Sequence, residues 1–203
     1  MYRIIAIAHS KGGVGKSLLS LHLAAGIDDC IIFDLDAQNS TFNISSARVE
    51  PFKVIKINSE SNFFEALDLY EDSNNILIDV GGYDNDLNRL AIANSDIVVV
   101  PVKDNSFEIL ALQNFMKVIN TIKSKSDVKV FALINNVHPR SKDFERLTSY
   151  IKKQKNINLL NTIIRQRAEY QNTLEEGLTV LEKTQFSKAS IDIINLIEEL
   201  KDI

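Results

Sequence analysis

The chain has 203 residues, of which 45% are hydrophobic, and a formal net charge of −4. A chain of this length and composition can bury a substantial core, which argues against disorder and predicts one domain over residues 1–203. The sole cysteine, Cys30, starts an apolar run and is expected in the core. It excludes a thiolate-ligated cluster within one chain and predicts a reducing, cytoplasmic compartment. No segment is long and apolar enough to predict a membrane span.

Charge is distributed unevenly along the chain. Residues 1–100 carry a formal charge of −7, residues 101–170 carry +7 and residues 171–203 carry −4. The basic middle stretch is either an electrostatic footprint for polyanions or a set of solvated helix faces, and the count alone leaves both interpretations open.

Short apolar runs alternate with amphipathic stretches along the whole chain. The runs are rich in isoleucine and valine, which is typical of strands buried on both faces. They cover residues 2–8, 30–35, 52–57, 75–80, 96–102, 128–135 and 157–164. Apolar residues between them have helical spacing, for example in residues 64–70 and 109–119. The alternation predicts an α/β fold with a doubly wound, mostly parallel sheet and helices on both faces.

The first strand leads into a glycine-rich loop, "HSKGGVGKS" at residues 9–17, and then into a helix that begins near Lys16. Glycines let such a loop fold tightly and aim backbone N–H groups at phosphate oxygens, while the helix adds the positive end of its dipole. Lys16 would contribute charge to the terminal phosphates, and Ser17 would offer a hydroxyl to Mg²⁺. The predicted nucleotide-binding residues of this loop are Lys11, Gly12, Gly13, Val14, Gly15, Lys16, Ser17 and Leu18. The alternative is a glycine turn with incidental lysines.

Two further strands end in acidic residues. The second ends in "FDLDAQ", where Asp34 and Asp36 share one face of the strand. Asp36 either positions the attacking water for phosphoryl transfer or caps the helix predicted to begin near Gln38. The fourth strand ends in "LIDVGG", where Asp79 is expected to support a magnesium ion. The two glycines that follow would let the backbone move toward a terminal phosphate.

These motifs resemble those of the deviant Walker A ATPases, the family that includes ParA and MinD. The similarity rests on "KGGVGKS", "DLDAQ" and "LIDVGG" on successive strands, and continues in "DIVVVPV" and in residues 161–190. It is greatest to the small ParF-like ParA proteins, which partition plasmids and lack an N-terminal helix-turn-helix. Two departures stand out: Ala37 replaces the common proline after Asp36, and "VKDNSFE" follows Pro101 where that subclass often has further prolines.

The resemblance implies a weak Mg²⁺-dependent ATPase that binds ATP or ADP, forms an ATP-sandwiched homodimer and is stimulated by a centromere-binding partner of the ParB or ParG type. Lys11, the extra lysine of this family, would contact the phosphates held by the other subunit. Lys16 and Asp36 would complete the catalytic set. Ser17, Asp36 and Asp79 would hold or support the metal.

The resemblance also implies contacts beyond the phosphates. Asn135 and Arg167 lie where adenine contacts are expected. Nonspecific DNA would bind to surface lysines and arginines, for which the candidates are Lys152, Lys153, Lys155 and Arg165. Such a protein would drive partition of a plasmid or chromosome region and associate with the nucleoid. The alternative for these charges is an exposed face with no partner.

Other functions found in the same ATPase family depend on the segments attached to the nucleotide-binding domain. A MinD-like protein needs a basic, membrane-binding C-terminal helix. Residues 186–203 have an apolar face at Ile191, Ile194 and Ile197, extended by Ile193 and Leu200, but the polar face is acidic. Packing against the core is therefore the preferred interpretation, and no membrane partner is expected. Iron-sulfur relatives are excluded for want of cysteines, whereas a cargo-positioning scaffold with negligible turnover stays open.

Overall fold

The computed structural model describes residues 3–72, 74–184 and 186–203. Within these ranges the chain forms seven strands: β1 (Ile4–Ile7), β2 (Cys30–Asp34), β3 (Val54–Lys56), β4 (Asn75–Asp79), β5 (Ile97–Val102), β6 (Lys129–Val137) and β7 (Asn158–Arg165). The same ranges contain nine helices: α1 (Lys16–Ala24), α2 (Ser40–Ser46), α3 (Glu60–Tyr70), α4 (Asp86–Ala93), α5 (Ser106–Lys123), α6 (Glu145–Lys152), α7 (Ala168–Glu175), α8 (Val180–Lys183) and α9 (Lys188–Lys201). Every predicted apolar run forms a strand; Tyr2, included in the first run, lies outside the described residues.

The strands form one parallel sheet in the order β3-β2-β4-β1-β5-β6-β7, which confirms the predicted fold class. Asp79, the last residue of β4, lies opposite Ile7 of β1 on one side and Asp34 of β2 on the other. The carboxyl ends of these three strands therefore reach the same edge of the sheet. In parallel α/β sheets this is the edge at which ligands bind.

Helices cover both faces of the sheet. One hydrophobic cluster joins the strands to α3, α4, α5 and α6, and the other joins them to α1, α7, α8 and α9. Successive residues of β1 serve opposite clusters: Ala6 and Ala8 face the first, and Ile5 and Ile7 face the second. Cys30 packs against the second cluster, as expected, and burial raises the pKa of its thiol to about 12.

The C-terminal helix α9 packs on the core, as predicted, with a face that matches the predicted one only in part. Ile193, Leu196, Ile197 and Leu200 are buried, whereas Ile191 and Ile194 are 44% and 36% exposed. The acidic face also contributes to docking, because the Glu199 carboxylate accepts hydrogen bonds from the backbone of β7 at 2.6 and 2.9 Å. These contacts rotate the helix relative to the predicted face. None of the described helices combines the length and the apolar character needed to cross a membrane.

Candidate nucleotide site

The glycine-rich loop connects β1 to α1. Gly13 and Gly15 have φ angles of 73° and 94°, in the left-handed region that glycine enters without strain. Gly15 directly precedes the first turn of α1, and no side chain caps that turn. The N–H groups at the start of the helix are therefore left for another acceptor, as at an anion-binding helix terminus.

A cavity of about 470 Å³ opens beside the loop. Its walls come from three strand ends: the loop after β1, the turn after β2 and the glycine pair after β4. The lining residues are Gly12, Gly13, Gly15, Lys16, Ser17, Leu18, Asp36, Ala37, Gln38, Ser40, Gly82 and Tyr83. The fold thus joins most of the predicted phosphate-loop residues to Asp36. Lys11, Val14 and Asp79 belong to the predicted set but do not line this cavity.

Lys16 is the cation of the cavity. It is only 7% exposed, and its Nζ donates a hydrogen bond to the carbonyl oxygen of Lys11 at 3.1 Å. Lys16 takes part in none of the ion pairs formed by the described residues. Burial lowers the pKa of its ammonium, and the negative charges of Asp79 and Asp36 oppose that shift. A buried ammonium held only by a neutral carbonyl is well placed to bind an anion.

Asp79 is fully buried beside the loop. Its Oδ2 accepts a hydrogen bond from Thr41 Oγ1 at 2.5 Å, while Oδ1 accepts none with ordinary geometry from the described residues. Burial raises the pKa of Asp79 to about 6, and the nearby hydroxyls of Ser17 and Thr41 lower it in opposition. An unsatisfied carboxylate oxygen next to a hydroxyl suits a hard cation such as Mg²⁺. In the described ranges no group of three or more His, Cys, Asp or Glu side chains could hold a metal ion by itself.

The two aspartates of the β2 strand end have different surroundings. Asp34 is buried and ties the turn together, because its Oδ1 and Oδ2 accept hydrogen bonds from the backbone N–H groups of Asp36 and Phe42 at 3.0 and 2.9 Å. Asp36 Oδ1 accepts one from Gln38 N at 3.0 Å, and α2 begins only at Ser40. Asp36 therefore closes a turn and does not cap the helix, so that alternative is wrong. Its Oδ2 accepts no hydrogen bond from the described part of the chain.

A second cavity, of about 270 Å³, adjoins the first through Gly15 and Leu18. Both predicted adenine contacts line it. Asn135 is buried and donates from Nδ2 to the carbonyl oxygen of Val14 at 2.7 Å, and Arg167 is paired with Asp192 at 3.1 Å. Arg165, predicted as a DNA contact, also lines this cavity. Sequence reasoning missed the other lining residues, which are Asn136, Ile164, Gln166, Ala168, Tyr170 and Gln171. Several of these residues directly follow a predicted one in the sequence. Their position at the ends of β6 and β7 could therefore have identified them.

The Lys11 side chain does not line the phosphate cavity and instead contacts α5. Its ammonium pairs with Glu108, a buried residue in the first turn of α5, while the Lys11 side chain itself remains 42% exposed. The backbone N–H of Lys11 donates to Nδ1 of His9 at 3.0 Å. The sequence contained no motif that pointed to Glu108, because it comes from a connection about a hundred residues away.

The four predicted DNA-binding residues do not form one patch. Lys152, Lys153 and Lys155 are exposed at the end of α6, just before β7, whereas Arg165 is the last residue of β7. An eight-residue strand separates them by about 23 Å, since strands rise about 3.3 Å per residue. The Arg165 guanidinium also donates to the carbonyl oxygens of Pro139 and Ser141 at 3.1 and 2.9 Å. The lysines form a cluster at the amino end of the sheet, away from the cavities.

Comparison with known proteins agrees with this geometry. The family model described as the CobQ/CobB/MinD/ParA nucleotide binding domain matches residues 5–180. Over 212 aligned positions the chain is 22% identical to the maintenance of carboxysome distribution protein A of Halothiobacillus neapolitanus, covering 95% of this chain and 93% of that protein.

Two solved structures have the same fold. One, described as a candidate plasmid partition protein of Borrelia burgdorferi B31 bound to AMPPNP, is 18% identical with a TM-score of 0.73, and the match covers 100% of both chains. The other is the MinC:MinD cell division complex of Aquifex aeolicus, which is 14% identical with a TM-score of 0.78 and coverage of 99% of this chain and 96% of that one.

Proposed function

Because the chain belongs to the CobQ/CobB/MinD/ParA family of nucleotide binding domains, we propose that it is a ParA-type ATPase that dimerises on ATP, binds nonspecific DNA and drives partition of a plasmid or chromosome region. The observation that carries this proposal is that the two loop lysines have different positions relative to the cavity. Lys16 serves the cavity of its own chain, and Lys11 stands outside that cavity with an exposed side chain.

The cavity residues have complementary tasks in binding and hydrolysis. Lys16 and the free N–H groups at the start of α1 would hold phosphate oxygens, and the adjoining cavity with Asn135 and Arg167 would take the adenine. Ser17 would ligate Mg²⁺ and Asp79 would support it from behind. When bound, the ion offsets phosphate charge. Asp36 Oδ2 is free to accept a hydrogen bond from the attacking water and orient it.

Dimerisation follows from the position of Lys11. Two nucleotides brought face to face would concentrate negative charge between the subunits, and a lysine donated from each side offsets it. The absence of Lys11 from the lining of the cavity of its own chain supports this role. On dimerisation, the Lys11 ammonium would exchange its ion pair with Glu108 for an ion pair with a phosphate of the other subunit's nucleotide.

The DNA contact is assigned to Lys152, Lys153 and Lys155, which lie within four residues of each other and have no acidic partner in the described ranges. Contacts of this kind bind phosphates regardless of base sequence and are strongly salt-dependent. A centromere-binding protein of the ParB or ParG type would stimulate hydrolysis, and the protein would associate with the nucleoid. Full-length similarity to a carboxysome distribution protein favours, as the second candidate, a switch that positions a protein cargo.

The dimer is tested by mixing two inactive variants, Lys11→Ala and Lys16→Ala. The first subunit keeps Lys16 and loads ATP, while the second still donates its own Lys11, so one composite site is complete. Each variant alone should be nearly inactive, and the mixture should regain a measurable part of the ATPase activity. Mixed dimers that assemble with ATP but hydrolyse no faster than either parent would refute the role of Lys11 across the interface.

The DNA contact is tested by replacing Lys152, Lys153 and Lys155 together with glutamate. Retention on nonspecific DNA with ATP should be lost while ATP-dependent dimerisation persists. The control is the same charge change at three other exposed lysines, Lys117, Lys188 and Lys201. Equal loss in both variants would mean that net charge alone decides retention, and full retention in the first would remove the cluster from the contact and favour the protein-cargo candidate.

A further inference from the structure

A third lysine contacts the phosphate loop. Lys103 follows β5, and its Nζ donates a hydrogen bond to the carbonyl oxygen of Gly13 at 3.1 Å. It takes part in none of the ion pairs of the described residues, whereas Lys11 beside it has Glu108. Lys103 thus adds an uncompensated positive charge to the loop.

The side of the loop on which Lys103 lies follows from peptide geometry. The Gly13 carbonyl and the Val14 N–H belong to one trans peptide, so they point in opposite directions. A phosphate loop aims its N–H groups at the phosphates, which turns this carbonyl, and the ammonium bound to it, outward. Lys103 is accordingly absent from the lining of the phosphate cavity, as Lys11 is. With this orientation, the loop backbone would separate the Lys103 ammonium from a nucleotide bound by its own chain.

The surface next to Lys103 exposes large apolar side chains, as surfaces that bind another protein do. Phe107 is 80% exposed and Leu110 is 56% exposed, and both lie on the first turns of α5 on either side of Glu108. Exposed aromatic side chains of this size mark interaction sites when they are grouped. Lys11 contacts the same part of α5 through its pairing with Glu108, so the charged and the apolar groups are neighbours.

From these observations we propose that Lys103 reaches across to a second copy of this chain and binds phosphate oxygens of the nucleoside triphosphate that this copy holds. The inference rests on the proposed ATP-dependent dimer and adds a second lysine to the contact. On association, Lys103 leaves the neutral carbonyl of Gly13 for a charged acceptor. Such an exchange favours the dimer because the ammonium then faces a negatively charged acceptor and gains the attraction between opposite charges.

Removing the charge should weaken the dimer without weakening nucleotide binding by the monomer. For Lys103→Gln, we expect the dissociation constant of the dimer with a nonhydrolysable ATP analogue to rise about tenfold, the range of one lost charge-assisted hydrogen bond. Binding of a fluorescent ATP analogue at protein concentrations below dimerisation should stay unchanged. Lys123→Gln is the matched control, because Lys123 also donates to a backbone carbonyl, that of Val128 at 3.0 Å, but at the opposite end of the sheet.

The outcomes separate this inference from the proposed function. If the wild-type chain does not dimerise with ATP, the proposed function fails. If it does and Lys103→Gln dimerises equally well, Lys103 has no role in the contact. If Lys103→Gln loses nucleotide binding as a monomer, Lys103 is only a brace of the loop, which overturns the inference.

Capture by a tagged Lys16→Ala chain locates the contact. Only the untagged partner then holds ATP, so the Lys103 that matters belongs to the tagged chain. An untagged Lys103→Gln partner should be captured to the same extent as an untagged wild-type chain. Adding Lys103→Gln to the tagged chain should reduce capture of the wild-type partner. The reverse pattern would mean that Lys103 serves its own nucleotide.

Discussion

The phosphate loop has an inner side, formed with Lys16 and Asp79, and an outer side, formed with Lys11 and the start of α5. The two sides differ in whether their charged groups already have partners. On the inner side, Lys16 is buried without an ion partner and Asp79 keeps an unsatisfied oxygen, so this side is short of a ligand. On the outer side, Lys11 is already paired with Glu108, and Phe107 is exposed to solvent. The difference fits the proposed function, in which one chain binds the nucleotide and a second chain completes the outer side.

The largest expected effect comes from Asp36, the one inner carboxylate with a free oxygen in the cavity. Asp36→Ala should bind ATP and dimerise but lose hydrolysis by roughly 10²–10⁴-fold, the range for removing a group that positions or activates water. Turnover with and without a stimulating partner measures it. Asp84→Ala is the control, because Asp84 is exposed and paired with Arg89. Normal turnover by Asp36→Ala would remove Asp36 from the mechanism.

Asp79→Asn should have the next largest effect. The amide keeps an acceptor for Thr41 but loses the negative charge behind Ser17, so the Mg²⁺ affinity of the nucleotide complex should fall about 10–100-fold, as for other groups behind a metal ligand. Titration of Mg²⁺ against nucleotide binding measures it. A wild-type magnesium dependence in the variant would contradict the metal role. Nucleotide binding without Mg²⁺ should change little, because Lys16 remains.

Parts of this arrangement follow from the sequence and parts do not. Strands buried on both faces produce apolar runs, and glycines mark a loop that needs positive φ, so the sheet and the inner side of the loop were predictable. The contacts of Glu108 and Lys103 were not, because they depend on how the β5–α5 connection meets the first loop. The buried face of α9 was predicted only in part for a related reason, since its orientation also depends on hydrogen bonds to β7.

On the outer side, a smaller effect is expected from Glu108→Gln. If pairing with Glu108 restrains Lys11, neutralising the carboxylate should free the ammonium and strengthen ATP-dependent dimerisation about two- to fivefold, the scale of a half-exposed ion pair. Sedimentation of the dimer at several protein concentrations measures it. Glu145→Gln is the control, because Glu145 occupies the first turn of α6 and is not in an ion pair within the described chain. Weaker dimerisation in Glu108→Gln would mean that the pair supports the outer side.

The smallest effect is expected from His9, which lies at the start of the loop and contacts the Lys11 backbone. Its Nδ1 accepts the Lys11 N–H at 3.0 Å and its ring stacks on Phe115. Burial, with Lys16 and Lys11 adding to it, lowers the pKa of His9 from 6.5 to about 4. The folded chain therefore takes up this proton less readily than the unfolded chain, so the stability contributed by neutral His9 is present above pH 6.5 and is lost as the pH falls toward 4.

We expect this residue alone to lower the free energy of unfolding by about 2 kcal/mol between pH 7 and pH 5, as linkage requires for such a shift. His9→Asn keeps an acceptor for Lys11 and does not titrate, so its unfolding free energy should depend less steeply on pH. His22 is the internal reference: burial lowers its pKa to about 4 as well, but it bonds to the Tyr170 carbonyl away from the loop. A bound triphosphate should offset the charge of Lys16 and thus raise the pKa of His9 while leaving that of His22 unchanged. Equal responses of the two imidazole resonances to nucleotide, followed by NMR, would show that His9 does not sense the loop.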